Sequence, residues 1–117
     1  MYRIRYNVSM KIIRQYTLAN GKSPFAISMK KFDKAIRARI EMRLKRIENG
    51  NYGDVKRLDE YLYELRCKFG NGIRIYFYEI DNTIILLLCA GDKASQSKDI
   101  ENAKLYIKDF IERVENG

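Results

Sequence analysis

The chain has 117 residues, enough for one domain with one core, and its 46% hydrophobic and 32% charged residues are typical of a folded globular protein. The apolar run over residues 83–90 is far shorter than the roughly 20 residues that cross a bilayer, and residues 1–6 lack the apolar core of a signal peptide. The sequence therefore predicts a single cytoplasmic domain over residues 1–117, without a membrane partner. Cys67 and Cys89 are expected to be reduced thiols, buried in strands as small apolar side chains.

The net charge of +8 is distributed unevenly. Residues 99–117 carry three basic and five acidic side chains, a sum of −2, so residues 1–98 carry +10. A positive field of this kind attracts polyanions, of which nucleic acid is the obvious one. An anionic membrane is less favoured, because no segment combines a basic face with exposed Trp or Phe. The charge favours a nucleic-acid partner, although many solvated surfaces are also basic.

The first predicted element is a strand over residues 10–17, which ends at the turn-forming pair Asn20-Gly21. Residues 1–9 also alternate in polarity. They are expected to be either an extra edge strand or a leader that is dispensable for folding and activity.

A helical hairpin is predicted next. Ser23 is a good N-cap and Pro24 is favoured in the first helical turn, so a short helix should begin there and run through residue 32. Residues 34–48 predict a longer helix, because apolar side chains recur at helical intervals. Residues 30–46 include eight basic and two acidic residues. The polar side of this hairpin is therefore a solvated surface or a guide for RNA or an acidic partner.

Strands dominate the second half of the sequence, at residues 54–58, 61–69, 73–80 and 83–90. The last is a continuous apolar run, which is typical of a central strand covered on both faces. Ser97 is expected to cap a final helix with an apolar inner stripe. The predicted fold class is α+β: an N-terminal strand and a helical hairpin packed on a mostly antiparallel sheet of four to five strands, with a C-terminal helix.

The Gly70-Asn71-Gly72 connection predicts how the two strands around it pair. Odd positions in both strands are mostly apolar and even positions are charged or amphipathic, and a three-residue loop keeps the apolar faces together. The resulting register sets three pairs on the polar face: Lys68 with Arg74, Arg66 with Tyr76, and Glu64 with Tyr78.

This polar face favours RNA. Like charges directly across a hairpin are unfavourable, so Lys68 opposite Arg74 makes sense if a phosphate sits among them; alternatively, both side chains splay into water. Tyr76 and Tyr78 on the same face offer stacking surfaces for unpaired bases, or they are aromatic residues at the edge of the core.

Residues 44–104 carry a set of short motifs whose order and spacing are specific, although no single motif is. They are Leu44-x-x-Ile47-x-x-Gly50-Asn51-x-Gly53-Asp54-x-Lys56-x-Leu58, Glu64-Leu65-Arg66, Gly72-x-Arg74-x-Tyr76-Phe77, and Leu86-Leu87-Leu88-x-x-Gly91-Asp92-Lys93-x-x-Gln96-x-x-Asp99-Ile100-x-x-Ala103. In this pattern the chain resembles the RelE/ParE toxin superfamily, and within it the HigB-type, phage-derived addiction module killer proteins. The resemblance implies a RelE-like fold of the microbial-RNase type.

The resemblance also implies the toxin of a type II toxin–antitoxin system: an endoribonuclease that enters the ribosomal A site and cuts mRNA without a metal or cofactor. Its implied partners are the ribosome, mRNA and a HigA-like helix-turn-helix antitoxin that keeps it silent. Toxins of this kind rely on Arg, Lys and Tyr in place of catalytic His or Glu. The chain contains no histidine, which excludes imidazole acid–base chemistry.

The residue roles that the resemblance implies are as follows. Arg66 and Arg74 match the sheet arginines of the family and should bind the phosphate and the transition state. Lys93 is a candidate acid/base or electrostatic clamp, or a loop lysine paired with Asp92. The residues expected to bind RNA are Lys56, Lys68, Tyr76 and Tyr78. Some relatives place an essential Tyr or His near the C-terminus. In this chain only Tyr106 is available there, on a predicted helix with an apolar inner face, so the identity of the general base is left open.

Two other functions fit the same pattern. A ParE-like toxin that inhibits DNA gyrase shares the fold without being a nuclease. A non-enzymatic nucleic-acid-binding phage accessory protein would also be small and basic. The arginines, lysines and tyrosines of the polar face favour the ribonuclease, and a helix-turn-helix gene just downstream would support a toxin.

Overall fold

The computed structural model describes residues 10–117, so the prediction for residues 1–9 lies outside it. Five strands and three helices follow one another in the predicted order, and the α+β class is confirmed. The elements are β1 (Ile12–Gln15), α1 (Pro24–Met29), α2 (Lys34–Glu48), β2 (Val55–Arg57), β3 (Leu62–Arg66), β4 (Arg74–Ile80), β5 (Ile84–Gly91) and α3 (Gln96–Asn116).

The five strands form one mixed sheet in the order β1-β5-β4-β3-β2. β1 runs parallel to β5, and the other neighbouring strands are antiparallel. Helices cover both faces of β5, as its apolar run predicts. Ile85 and Leu87 pack into a core with α1 and α2, whereas Leu86 and Leu88 pack into a second core with α3.

Side-chain caps fix the start of the first two helices. The Ser23 hydroxyl accepts a hydrogen bond from the Ala26 amide at 3.1 Å, which confirms the predicted cap of α1. The Asp33 carboxylate accepts one from the Ile36 amide at 2.9 Å and caps α2. Both bonds satisfy amides that have no partner within the helix.

The predicted cap of the final helix is wrong. α3 begins at Gln96 with Ser95 in the N-cap position, so Ser97 lies inside the first turn. The Asp92 carboxylate accepts hydrogen bonds from the amides of Ala94 and Ser95, at 2.9 and 3.2 Å. This turn closes directly after β5 and starts the helix two residues earlier than predicted.

The register of the β3–β4 hairpin is shifted by two residues from the predicted one. The observed pairs are Arg66 with Arg74, Glu64 with Tyr76, and Leu62 with Tyr78. Three predicted pairs are therefore wrong: Lys68 with Arg74, Arg66 with Tyr76, and Glu64 with Tyr78. A shift of two keeps the paired side chains on their predicted faces. Lys68 is the exception, because it lies in the loop.

The shift follows from a longer loop than expected. The Cys67 amide donates to the Ile73 carbonyl at 2.8 Å, and residues 68–72 form the loop. Phe69 leaves the strand pairing and packs against the core beneath α2, where the Arg39 guanidinium lies 4.3 Å from the centre of its ring. Burial of this aromatic ring offsets the backbone pairing that the longer loop gives up.

Both cysteines are buried and free, as the sequence predicts. Burial raises the pKa of the Cys89 thiol to about 12 and also raises that of Cys67, so both remain protonated at neutral pH. Within residues 10–117, no helix is long and apolar enough to cross a membrane.

Candidate functional site

A buried carboxylate lies at the centre of the polar face of β3 and β4. The Glu64 side chain is 0% exposed and is held by three hydrogen bonds from three different elements. Its oxygens accept from Arg66 Nε at 3.2 Å, from the Tyr76 hydroxyl at 3.1 Å and from Gln96 Nε2 of α3 at 2.9 Å. A buried carboxylate needs such partners to offset its lost hydration, so these contacts fix the surrounding side chains as well.

Two arginines flank this carboxylate. Arg66 and Arg74 are directly opposite each other on β3 and β4. Arg74 Nε lies 3.9 Å from Glu64 Oε2, and Arg74 Nη1 donates to the Gly72 carbonyl at 2.6 Å. Among the described residues, Arg74 Nε has no hydrogen-bond partner. The side chain of Arg66 is 39% exposed and that of Arg74 is 15% exposed, so part of each side chain remains accessible to an anion.

Lys93 extends this cluster. It is exposed, and its amide donates to the Asn71 carbonyl at 3.3 Å, which ties the loop after β5 to the hairpin loop. Gly72, at a φ of 78°, makes the close approach possible. A Cβ at Gly72 would lie 2.7 Å from Arg74 Nη1 and 3.6 Å from the Cβ of Lys93. The fold therefore places Arg66 and Arg74 side by side and brings the Cβ of Lys93 next to the Gly72 turn to which Arg74 donates.

The alternative role of Lys93, as the partner of Asp92, receives no support. The Asp92 carboxylate accepts from the backbone of its own turn. In the part of the chain that the structure describes, Asp92 and Lys93 form no ion pair.

The four predicted RNA-binding residues occupy different surroundings. Lys56 is exposed on the edge strand β2, directly opposite Glu64. Lys68 is also exposed, but it lies in the hairpin loop and lines a cleft beside α2 instead of facing Arg74. Tyr78 is half-buried, with its ring 5.6 Å from that of Tyr61 and 6.2 Å from that of Phe110.

Of the two alternatives for Tyr76, the stacking surface is wrong and the aromatic residue of the core is the observed one. Its ring is 0% exposed, within the core that α3 completes. Burial, and then the charge of Glu64, raise the pKa of the Tyr76 hydroxyl. This hydroxyl therefore stays protonated at neutral pH and acts as a hydrogen-bond donor to Glu64 rather than as a surface on which a base could stack.

The sequence motifs include Glu64 and Gln96 but do not specify the contacts that the two residues make in the cluster. Glu64 organises the arginines, and Gln96 ties the first turn of α3 to Glu64. The signal for Glu64 was available: it is the one acidic residue among the basic side chains of the predicted hairpin face near the loop. A lone carboxylate there finds its partners in cross-strand arginines.

Comparison with known proteins matches residues 28–110 to the family described as "Phage derived protein Gp49-like (DUF891)". An uncharacterised protein of Haemophilus influenzae is 41% identical over 74 residues, which cover 63% of this chain and 75% of that protein. A solved structure of an arginine-to-alanine double mutant of the E. coli toxin RelE, in the free state, matches with a TM-score of 0.65. The match covers 84% of this chain and 98% of that one at 14% identity, so it concerns the fold.

Proposed function

We propose that this chain, which belongs to the phage-derived Gp49-like family, is an addiction-module toxin of the RelE/HigB type that acts as a ribosome-dependent, metal-independent mRNA endoribonuclease. In this proposal it inhibits translation, and its antitoxin partner is a HigA-like helix-turn-helix protein. The single observation that carries the proposal is the pair of guanidinium groups, Arg66 and Arg74, on either side of the buried Glu64 carboxylate.

The chemistry follows from what these groups bind. In RNA cleavage the 2′-hydroxyl loses its proton, its oxygen bonds to the adjacent phosphorus, and the bond from phosphorus to the 5′-oxygen breaks as that oxygen gains a proton. Negative charge grows on the phosphoryl oxygens in the transition state. Two guanidinium groups on residues directly opposite each other in neighbouring strands suit this charge, because a guanidinium group can donate paired hydrogen bonds to phosphoryl oxygens.

Glu64 positions these groups and balances part of their charge. Its carboxylate accepts from Arg66 Nε and lies 3.9 Å from Arg74 Nε. This leaves the Nη atoms of Arg66 and Nη2 of Arg74 for the phosphate, since Arg74 Nη1 donates to the Gly72 carbonyl. The exposed Lys93 next to Arg74 adds a third positive charge at the rim of the cluster. In the absence of histidine, these cations supply electrostatic stabilisation as the main source of rate.

The experiment that tests the proposal uses the purified protein, ribosomes and a translated mRNA. Primer extension on the mRNA should show cuts that require both the protein and translation. DNA supercoiling by gyrase should be measured alongside. Inhibition of supercoiling without mRNA cleavage would contradict the proposal and favour a gyrase inhibitor.

A further inference from the structure

A second group of positive charges lies beside α2, in a cleft of about 440 Å³ next to the hairpin loop. Five basic side chains and one carboxylate line it, together with small and apolar residues. The charged residues of this arginine cleft are Arg39, Arg43, Arg46, Arg66, Lys68 and Asp54. None of the sequence motifs assigns a role to the three α2 arginines that line the cleft.

The three α2 arginines form one row. Arg39, Arg43 and Arg46 are spaced four and three residues apart, which places them on one side of the helix. Within residues 10–117, none of them forms an ion pair with a carboxylate. Like charges at this spacing repel each other, so the row costs free energy in the protein alone and favours the binding of an anion.

Arg43 is fixed in place at the base of the cleft. Its Nη1 donates to the Arg66 carbonyl and its Nη2 to the Tyr52 carbonyl, each at 3.2 Å. Gly53 allows this placement, since a Cβ there would lie 2.6 Å from Arg43 Nη2. Among the described residues, Arg43 Nε is buried without a hydrogen-bond partner. A guanidinium held this firmly loses little entropy when an anion binds above it.

The cleft also offers an apolar surface. Phe69 lies at its edge with the Arg39 guanidinium 4.3 Å from its ring centre, and Met42 is 62% exposed. Arginine, an aromatic ring and an exposed apolar side chain together suit a nucleotide, whose phosphate is anionic and whose base is flat.

We propose that the arginine cleft binds the phosphodiester groups of the RNA strand that flanks the phosphate to be cut. The proposal deepens the proposed function and rests on it. Continuity between the two sites argues for RNA: Arg66 lines the cleft and also donates to Glu64 in the cluster with Arg74. A strand whose scissile phosphate lies between Arg66 and Arg74 reaches the row of α2 arginines by passing Arg66, the residue that the two sites share.

The test measures binding without cleavage. Uncleavable 2′-O-methyl RNA, as a dinucleotide and as a hexanucleotide, is titrated against the full chain by fluorescence anisotropy over a range of salt. The longer RNA should bind more tightly, and the Arg39→Ala/Arg46→Ala variant should lose this gain. For this variant, the slope of the logarithm of the RNA-binding constant against the logarithm of the salt concentration should fall in magnitude by about 0.7 for each phosphate group that it no longer binds.

A matched control separates a local effect from overall charge. Lys22 and Lys108 are exposed and lie outside the cleft, so Lys22→Ala/Lys108→Ala removes the same charge elsewhere. This control should keep the gain from RNA length, and Arg39→Lys/Arg46→Lys should recover part of it. Circular dichroism should show that all variants are folded.

The outcomes distinguish the alternatives. Equal losses in the cleft variant and in the lysine control would overturn the proposal, because only the net charge would matter. Unchanged RNA binding together with abolished binding of an oligoglutamate peptide would overturn it in favour of an acidic protein partner. Length-dependent RNA binding at the cleft without mRNA cleavage by the wild type would refute the proposed nuclease while supporting the cleft as an RNA site.

Discussion

Two carboxylates on opposite faces of the same sheet have different surroundings. Glu79 of β4 accepts from the Tyr52 hydroxyl at 2.7 Å and pairs with Lys11 at 3.1 Å, so one negative charge meets one positive charge. Glu64 of β3 also accepts from a tyrosine, but it lies between two arginines, with Lys93 nearby. A balanced pair is sufficient to stabilise a fold, whereas an excess of positive charge around one buried carboxylate indicates a site for a further anion.

The largest expected effect on stability separates these two networks. Glu64→Ala leaves Arg66 Nε, the Tyr76 hydroxyl and Gln96 Nε2 without their acceptor and removes the negative charge beside Arg74. It should lower the free energy of unfolding by about 3–5 kcal/mol. Glu79→Ala should cost less, about 1–3 kcal/mol, because Lys11 keeps a hydrogen bond to the Asn82 carbonyl, at 2.7 Å. Urea denaturation measures both. Equal losses in the free energy of unfolding would contradict the comparison, because the two carboxylates would then contribute equally to stability.

The next effect concerns activity. Arg74→Ala should reduce mRNA cleavage on ribosomes by roughly a hundred- to a thousand-fold, since one oriented donor to the transition state is removed. Folding and antitoxin binding should be largely retained, and Arg74→Lys should recover only part of the rate because a point charge cannot reproduce the planar fork. Primer extension on translated mRNA measures the rates.

Lys11→Ala is the matched control for Arg74→Ala, because it removes the cation of the other carboxylate network. It should leave the cleavage rate of the folded protein unchanged. Unaltered cleavage by the Arg66→Ala/Arg74→Ala double variant would refute the assignment of the site.

The smallest effect concerns the two tyrosines. Burial is the largest cause of the raised pKa of both Tyr52 and Tyr76, and the neighbouring carboxylate adds to it. Tyr52→Phe and Tyr76→Phe should each cost about 1.5–3 kcal/mol at pH 7, the usual contribution of a hydrogen bond to a charged group.

The stability that each of these tyrosine hydroxyl groups contributes depends on pH, and the direction of this dependence follows from the pKa. In the folded protein the pKa of the hydroxyl lies above its ordinary value of 10.0. The contribution of the hydroxyl to the free energy of unfolding is therefore complete below pH 10.0 and is lost as the pH rises toward the folded-state pKa. The difference between the wild type and each Phe variant should therefore shrink above pH 10.0. Denaturation curves at neutral and alkaline pH measure it, and a difference that grows with pH would contradict the assignment.

The elements of the fold could be predicted because their signals are local. Ser23-Pro24 marks the start of α1 within its own first turn, and the alternation in β3 and β4 separates their two faces. The register could not be predicted, because a pattern with a period of two is unchanged by a shift of two residues. The packing of Phe69 under α2 decides between the alternatives, and the sequence near the loop does not specify that packing.

The sequence predicts the arginines of the candidate site but not the buried carboxylate and tyrosine at its centre. Arg66 and Arg74 stand out as charges on one face of a hairpin. The burial of Glu64 and Tyr76 depends on α3, whose Gln96 reaches Glu64 from 32 positions further along the chain. A polar strand face has the same pattern whether solvent or a distant helix covers it, so Tyr76 resembled an exposed aromatic residue.

The parallel pairing of β1 with β5 has a consequence for biosynthesis. Ile12 pairs with Ile84, which is synthesised 72 positions later. At about 5–20 residues per second, the first strand waits roughly 4 to 14 seconds for its only partner among the described strands. The loop that carries Lys93 follows β5 immediately, so the cationic cluster can assemble only after β5 has been synthesised.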